Sequence, residues 1–260
     1  MHIVRFAAAG KVRYGILTES IVRGIRGSPF AWFARSGDSL PLDGSIYEVD
    51  EVRLLSPCLP SKIVCLGLNY RSHVEETKLP LPTVPLIFLK PSTAVIGPDD
   101  EIVLPRLSRR VDYEGELGMV IGRKAKDVPE DKARGHVMGY TCLNDVSERH
   151  NQAEDGQWTR AKGYDTFAPI GPCIETEVDP DNLKLETYLN GELRQSVNTS
   201  DLIFGVSKLM SFVSSVMTLL PGDIIATGTP SGIGRMNPGD VVEVRIEGIG
   251  TLRNPVVRQL

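Results

Sequence analysis

The stretch Asp112–Arg123, "DYEGELGMVIGR", decides the fold class. Leu117, Met119, Val120 and Ile121 give it the apolar content of a strand, while its front half carries Asp112, Glu114 and Glu116 at every second position. Successive strand side chains point to opposite faces, so the three acids would crowd onto one side. Like charges gathered where a chain enters an apolar run call for a counter-charge.

Working outward, the same kind of short β-rich run recurs along the chain. "IVCLGLNY", "PLIFLKPST", "EIVLP", "GYTCLND", "LKLETYLNGEL", "GDIIATGTP" and "GDVVEVRIEGIGTLRNPVV" are separated by Pro, Gly or Asp, the signature of strands. Asn190-Gly191 predicts a two-residue hairpin, because a type I′ turn needs positive φ at both central residues. Pro221-Gly222-Asp223 and Pro238-Gly239-Asp240 read as turns that launch strands. Helical patterning is sparse: 206–220, a charged turn over 129–134, a short piece over 147–154, and a turn over 69–76. The strands are not separated by regular helices, which predicts a mainly β (α+β) fold with a mixed or antiparallel core rather than a doubly wound sheet. The first fifty-odd residues form a small β unit, and Pro57 and Pro60 in "LLSPCLPSK" mark a connector. The expected division is a small N-terminal β domain over 1–56 and a second domain over 57–260.

Composition limits the function classes. Net charge is −4 and the isoelectric point about 5.7, with no broad basic field, so nucleic acid is not an expected partner. The longest apolar segment, 206–220, contains Lys208 and falls short of the roughly 20 residues a membrane span needs. The four cysteines form no C-x-x-C pair and the N-terminal stretch is interrupted by charges, so the expectation is a reduced, cytoplasmic protein with buried thiols. "TGTPSGIG" is neither a Walker loop nor a dinucleotide fingerprint.

Several residue groups carry possible chemistry. Glu114 and Glu116, two residues apart on a strand and so roughly 6.6 Å apart, can converge on one ion; the alternative is a solvated edge. Oxygen ligands favour Mg²⁺, Mn²⁺ or Ca²⁺, and Asp145 at the end of "YTCLND" offers a third acid. His73 and Glu76 stand three positions apart, close enough on a helix for a carboxylate to fix an imidazole tautomer, although a surface ion pair has the same spacing and Glu75 competes. Lys90 and Lys162 lie in apolar surroundings, as snorkelling lysines or as partners of an anion. Thr229, beside glycines at a strand end, could help accept an anion.

In order along the chain, "GLNYRSHVEE", "PLIFLKPSTAVIGP", "DYEGELGMVIGR", "GYTCLNDVSER", "TRAKGYDTFAPIGP", "DLIFGVSKLMSF" and "LLPGDIIATGTPSGIG" together resemble the fumarylacetoacetate hydrolase superfamily. The resemblance implies a mixed β-roll, a homodimer, and one Mg²⁺ or Mn²⁺ held by Glu114, Glu116 and Asp145. It also implies a His73–Glu76 pair, a substrate-facing Lys162, and substrate contacts from Thr229, Gln152 and Lys90. Asp112 matches no ligand position, and would orient the groups that do. The implied chemistry is metal stabilisation of an enolate formed from a small anionic 2-oxo or 2,4-dioxo acid. Hydrolysis of an acylpyruvate-like substrate leads. Isomerisation of a 2-hydroxy-2,4-dienedioate, decarboxylation of a related tricarboxylate, oxaloacetate decarboxylation or tautomerisation, and non-catalytic carboxylate binding are the alternatives. What separates them lies at the far end of the pocket and in closure by the segment 73–85.

Overall fold

The computed structural model describes residues 1–34, 40–78 and 80–259. Part of the expected N-terminal unit (35–39) and Leu79, within the expected closing segment, lie outside the described residues.

The N-terminal fifty-five residues form β1 (His2–Ala8), β2 (Lys11–Thr18), β3 (Ile21–Ile25), the short helix α1 (Pro29–Phe33), β4 (Leu42–Glu48) and β5 (Arg53–Leu55). Next come β6 (Lys62–Gly67), α2 (Arg71–Thr77), β7 (Leu86–Pro91), β8 (Val95–Ile96), β9 (Ile102–Leu104), β10 (Val111–Tyr113), β11 (Gly115–Ile121) and β12 (Val137–Asn144). Then follow β13 (Ser147–Glu148), α3 (Arg149–Asp155), α4 (Thr159–Lys162), β14 (Ala168–Glu175), β15 (Lys184–Leu189) and β16 (Glu192–Asn198). The chain closes with α5 (Val206–Val216), β17 (Ile224–Ala226), β18 (Gly234–Arg235), β19 (Val241–Ile246) and β20 (Gly250–Arg258).

The sequence expectation of a mainly β, mixed architecture holds. The largest sheet runs β4-β3-β2-β1-β14-β12-β11-β17-β6-β7, with β5 and β8 at its side; β15, β16, β19, β20 and β9 make a second sheet, and β13-β10-β18 a third. Most pairs are antiparallel, but β17/β6, β14/β8 and β20/β9 are parallel. The hairpin at Asn190-Gly191 forms as read, with φ of 54° and 78° joining β15 to β16. Helix α5 is shorter than its apolar pattern: Met217 turns extended and Leu219 exchanges both backbone hydrogen bonds with Ala125. Among the described residues no helix is long and apolar enough to cross a membrane. All four cysteines are buried and free.

The N-terminal strands continue the main sheet. His2 and Ile3 of β1 pair with Glu175 and Ile174 of β14. Val4 and Phe6 pack in the same apolar cluster as Leu117, Met119 and Ile225.

The stretch Asp112–Arg123 is not one strand. It breaks at Glu114, where the chain passes from β10 in the three-stranded sheet to β11 in the main one. Asp112 and Glu116 thus belong to different sheets, which sends the three acids to two destinations.

Candidate active site

Sheet register brings the acids together. Gly115 of β11 pairs with Asn144 of β12, so Glu114 and Asp145 each leave the ladder beside the other. The backbone there is pinned: Asp145 N–H donates to the Glu114 carbonyl at 2.9 Å, and Glu114 N–H donates to Asn144 Oδ1 at 2.9 Å. On the other side of β11, Gly118 pairs with Ala226 of β17, and the turn beyond it places the Gly228 N–H 2.8 Å from Glu116 Oε2. Because β6 runs parallel to β17, its end, Gly67 and Leu68, reaches the same edge and leads into α2 with His73 and Glu76.

Carboxylate oxygens of Glu114, Glu116 and Asp145 all lie within 4.8 Å of one another, and all three residues are buried. Three cations surround them. Lys162 Nζ donates to Glu114 Oε2 at 2.8 Å and Asp145 Oδ2 at 2.7 Å, with the Phe88 ring centroid 4.9 Å away. Lys90 Nζ donates to Asp145 Oδ1 at 2.6 Å and to the Val146 carbonyl at 3.0 Å. Arg149 places Nη2 2.6 Å from Glu114 Oε1 and donates from Nε to Asp112 Oδ2 and from Nη1 to Gln152 Oε1, each at 2.9 Å.

The acids are not equivalent. Burial works against ionising Glu114, but Lys162 and Arg149 outweigh it and hold the carboxyl well below its usual range. For Glu116, burial and then the charges of Asp145 and Glu114 push it well above the usual 4.5. Among the described residues its Oε1 accepts no hydrogen bond, a costly state for a buried oxygen. Burial also opposes the Lys162 ammonium, yet Asp145 and Glu114 keep it protonated above its ordinary range.

This donor set fits a divalent cation: hard oxygens from three acids converge, and Glu116 Oε1 is the unsatisfied acceptor that a cation would complete. Of the two lysines, Lys162 lines the cleft, and ligation of the acids would free its ammonium group to face a bound anion.

A cleft of about 370 Å³ opens beside the acids, lined by His73, Gln152, Lys162 and Thr229 among the residues singled out from the sequence. His73 Nδ1 lies 3.0 Å from Glu76 Oε2, and Glu76 Oε1 accepts from the Gly232 N–H at 3.1 Å. The Thr229 hydroxyl donates to the Gly115 carbonyl at 3.0 Å and accepts from Gln195 Nε2 at 2.9 Å, so its hydroxyl bonds are internal. Lys90 takes a different place from the substrate contact expected of it. It is fully buried behind Asp145 and does not line the cleft, because both of its hydrogen bonds go to the Asp145 segment. Asp112 stays away from the triad and bridges Arg110 and Arg149.

Sequence reading passed over Arg149, Arg110, Asn144, Gln195 and Trp158. Gln195 accepts from the Gly115 N–H at 3.0 Å and donates to Thr229 and to the Pro230 carbonyl, tying the segment between the two glutamates to the turn after β17. Trp158 packs edge-on against Phe88, with centroids 5.1 Å apart, and forms the apolar wall.

Comparison with known proteins agrees with this architecture. A family model described as fumarylacetoacetate (FAA) hydrolase C-terminal matches residues 62–257, and an Rv2993c-like, N-terminal model matches residues 1–57. A 2,4-didehydro-3-deoxy-L-rhamnonate hydrolase from a Sphingomonas species is 47% identical over 207 residues, covering 75% of this chain and 73% of that one. The crystal structure of 2-hydroxyhepta-2,4-diene-1,7-dioate isomerase from Mycobacterium marinum superposes with a TM-score of 0.91 at 45% identity, over 100% of this chain and 99% of that one. A maleylpyruvate hydrolase from a Sphingobium species, solved in complex with manganese(II) and pyruvate, gives a TM-score of 0.81 at 29% identity over 100% of both chains. The chain belongs to the fumarylacetoacetate hydrolase family.

Proposed function

We propose that this protein is a divalent-metal-dependent enzyme that cleaves a carbon–carbon bond in a small acylpyruvate-like 2,4-dioxo acid by hydrolysis, with Glu114, Glu116 and Asp145 as the residues that hold Mg²⁺ or Mn²⁺. The observation that carries this reading is the His73–Glu76 pair at the same cleft as three converging buried acids. The manganese and pyruvate bound to the Sphingobium relative agree with it.

When bound, the ion supplies Lewis-acid polarisation of the 2-oxo acid end of the substrate. The chain's own residues do the rest. Glu76 is an acceptor, so the His73 proton sits on Nδ1 and Nε2 is the basic nitrogen. His73 takes a proton from water, whose oxygen adds to the distal carbonyl. The bond between that carbonyl carbon and the methylene carbon then breaks, its electron pair passes into the pyruvate enolate, and the proton held by His73 returns to the methylene carbon. The products are a carboxylic acid and pyruvate. Lys162, already charged and aimed at the acids, donates to the oxygen on which negative charge builds. Phe88 and Trp158 limit bulk water on the apolar side.

A second reading shares every residue except the attacking water: isomerisation of a dienedioate, favoured by the likeness to the Mycobacterium marinum isomerase. Titrating Mg²⁺ or Mn²⁺ into chelator-stripped protein, while acetylpyruvate loss and product formation are followed by NMR, tests the choice. Pyruvate and acetate in equal amounts support hydrolysis. Metal binding without cleavage of acetylpyruvate or any longer acylpyruvate overturns it in favour of isomerase or decarboxylase chemistry.

A further inference from the structure

The acids and the His73–Glu76 pair stand on different elements, and the chain between β6 and α2 joins them. Leu68 leaves β6 with a φ of 44°, a conformation that a leucine keeps only where its surroundings hold it. Asn69 follows and is fully buried. Its Nδ2 donates to the Thr227 carbonyl at 2.8 Å and to the Phe204 carbonyl at 3.1 Å, and its Oδ1 accepts from the Phe204 N–H at 2.9 Å. Its own carbonyl accepts from the Ile203 N–H at 2.8 Å. Both donors and the acceptor of the amide are thus used, on two segments remote in sequence.

Each of those segments touches the site. Next to Thr227, the Gly228 N–H donates to Glu116, and Gly228, with a φ of 97°, packs so closely that a Cβ on it would lie 2.9 Å from that of Asn69. At the far end of the same turn the Gly232 N–H donates to Glu76. The segment before α5 holds the first turn of α2: Asp201 Oδ2 accepts from the Ser72 N–H at 3.2 Å, and Arg71 Nη1 donates to the carbonyls of Asp201 and Leu202. The Thr227 N–H is also bonded to the Leu117 carbonyl of β11, so the acid side of the link is held without Asn69 and α2 is the side that depends on it. Three residues separate Asn69 from His73, so a displacement at the amide is passed to the imidazole.

We propose that Asn69 is a positioning residue: it fixes His73 relative to Glu116, and its loss lowers turnover by misplacing the base rather than by weakening substrate or metal binding. The inference rests on the reading of His73 as the general base and deepens it. Proton transfer depends steeply on placement, and a shift of about 1 Å costs up to about 10²-fold in rate. An aspartate of the same shape would set an oxygen against the Thr227 and Phe204 carbonyls in place of the two donors.

The test is a double-mutant cycle in kcat on acetylpyruvate with the Mn²⁺-loaded full chain. Asn69→Ser is expected to lower kcat by about 10–100-fold, with KM changed by less than about threefold and the Mn²⁺-induced rise in Tm kept, and Asn69→Asp to lose more. In the His73→Asn background the same substitutions cost less than about threefold, because the base they misplace is gone. A loss that persists in full in that background, or a kcat within about twofold of wild type, overturns the proposal and leaves the hydrolase reading intact. Absence of acylpyruvate turnover by the wild type overturns the hydrolase reading and this proposal with it. Native-state hydrogen exchange of the wild type needs neither variant nor substrate, and decides the matter if both variants fail to fold. Backbone amides of 71–77 and 228–232 opening with one denaturant dependence support the link, and opening in separate events overturns it.

Discussion

Replacing Glu116 with glutamine removes the one acid of the triad that, among the described residues, has neither a lysine nor an arginine in ion-pair contact with it. In the metal-free protein Glu116 is raised well above 4.5 by burial and by the charges of Asp145 and Glu114, so its ionisation opposes folding. A carboxyl raised in the folded state contributes its stability below the unfolded-state pKa and loses it as pH climbs. The metal-free wild type should therefore lose stability relative to Glu116→Gln as pH rises from about 4.5 towards 8. A divalent ion reverses the order. Ligand at 100 times its Kd adds about 2.7 kcal/mol. At roughly 2–4 °C per kcal/mol for a chain of this size, the wild-type Tm should climb by about 5–11 °C. Glu116→Gln keeps the shape of the side chain but offers a neutral amide, and its shift should fall below about a third of that. Differential scanning fluorimetry across pH, with and without Mn²⁺, reads both effects. An equal metal-induced rise in the variant would refute the assignment of Glu116 as a ligand, and a pH-independent difference in the metal-free proteins would refute the account of its burial.

Other substitutions separate binding from chemistry. His73→Asn should lower kcat by about 10²–10⁴-fold while leaving the Mn²⁺-induced rise in Tm intact, which steady-state kinetics and fluorimetry on one preparation will show. Lys162→Met should cost roughly 10²-fold or more in kcat, and because it strips a competing cation from Glu114 and Asp145 it should not weaken Mn²⁺ binding measured by calorimetry. Gly115→Ala builds a Cβ 2.1 Å from Thr187 Oγ1, so it should cost about 1–3 kcal/mol in urea unfolding, and adding Thr187→Ala should recover most of it.

The parts of the site that follow from local order were legible in the sequence. Glu114, Glu116 and the strand-end Asp145 announce themselves by putting charge against apolar runs, and His73 and Glu76 by helical spacing. The hairpin at Asn190-Gly191 was legible because positive φ at two successive positions has few other sequence solutions. The break at Glu114 was not, since period-2 alternation continues through Tyr113, Glu114 and Gly115 while the hydrogen-bond partners change from one sheet to another. Arg149 and Gln195 were missed for a related reason. Arg149 meets Asp112, thirty-seven residues earlier, and Glu114 directly, and Gln195 meets Gly115 only because the β15–β16 hairpin of the second sheet packs on the main one. Lys90 was misplaced because an apolar setting tells that a lysine is buried, not which side of the acids it approaches.

If the three acids hold a divalent ion, charge balance calls for an anionic ligand. Glu114, Glu116 and Asp145 carry three negative charges when ionised, and Lys90, Lys162 and Arg149 in contact with them carry three positive ones. The cluster is near neutrality only if every acid is ionised, yet Glu116, buried beside Asp145 and Glu114, resists ionisation. A divalent ion makes all three carboxylates favourable and leaves the cluster with an excess of about two positive charges in a buried setting. Such an excess is costly unless a ligand brings negative charge to it. The proposed 2-oxo acid would bring one charge as its carboxylate and a second as the enolate forms, so the electrostatic need of the site would be met most fully along the reaction rather than before it. On the proposed reading, three acids with three basic partners would suit an enolate better than three acids alone: Lys90, Lys162 and Arg149 balance the carboxylates of the metal-free protein, and with an ion bound the cleft-lining Lys162 and Arg149 would face the developing charge.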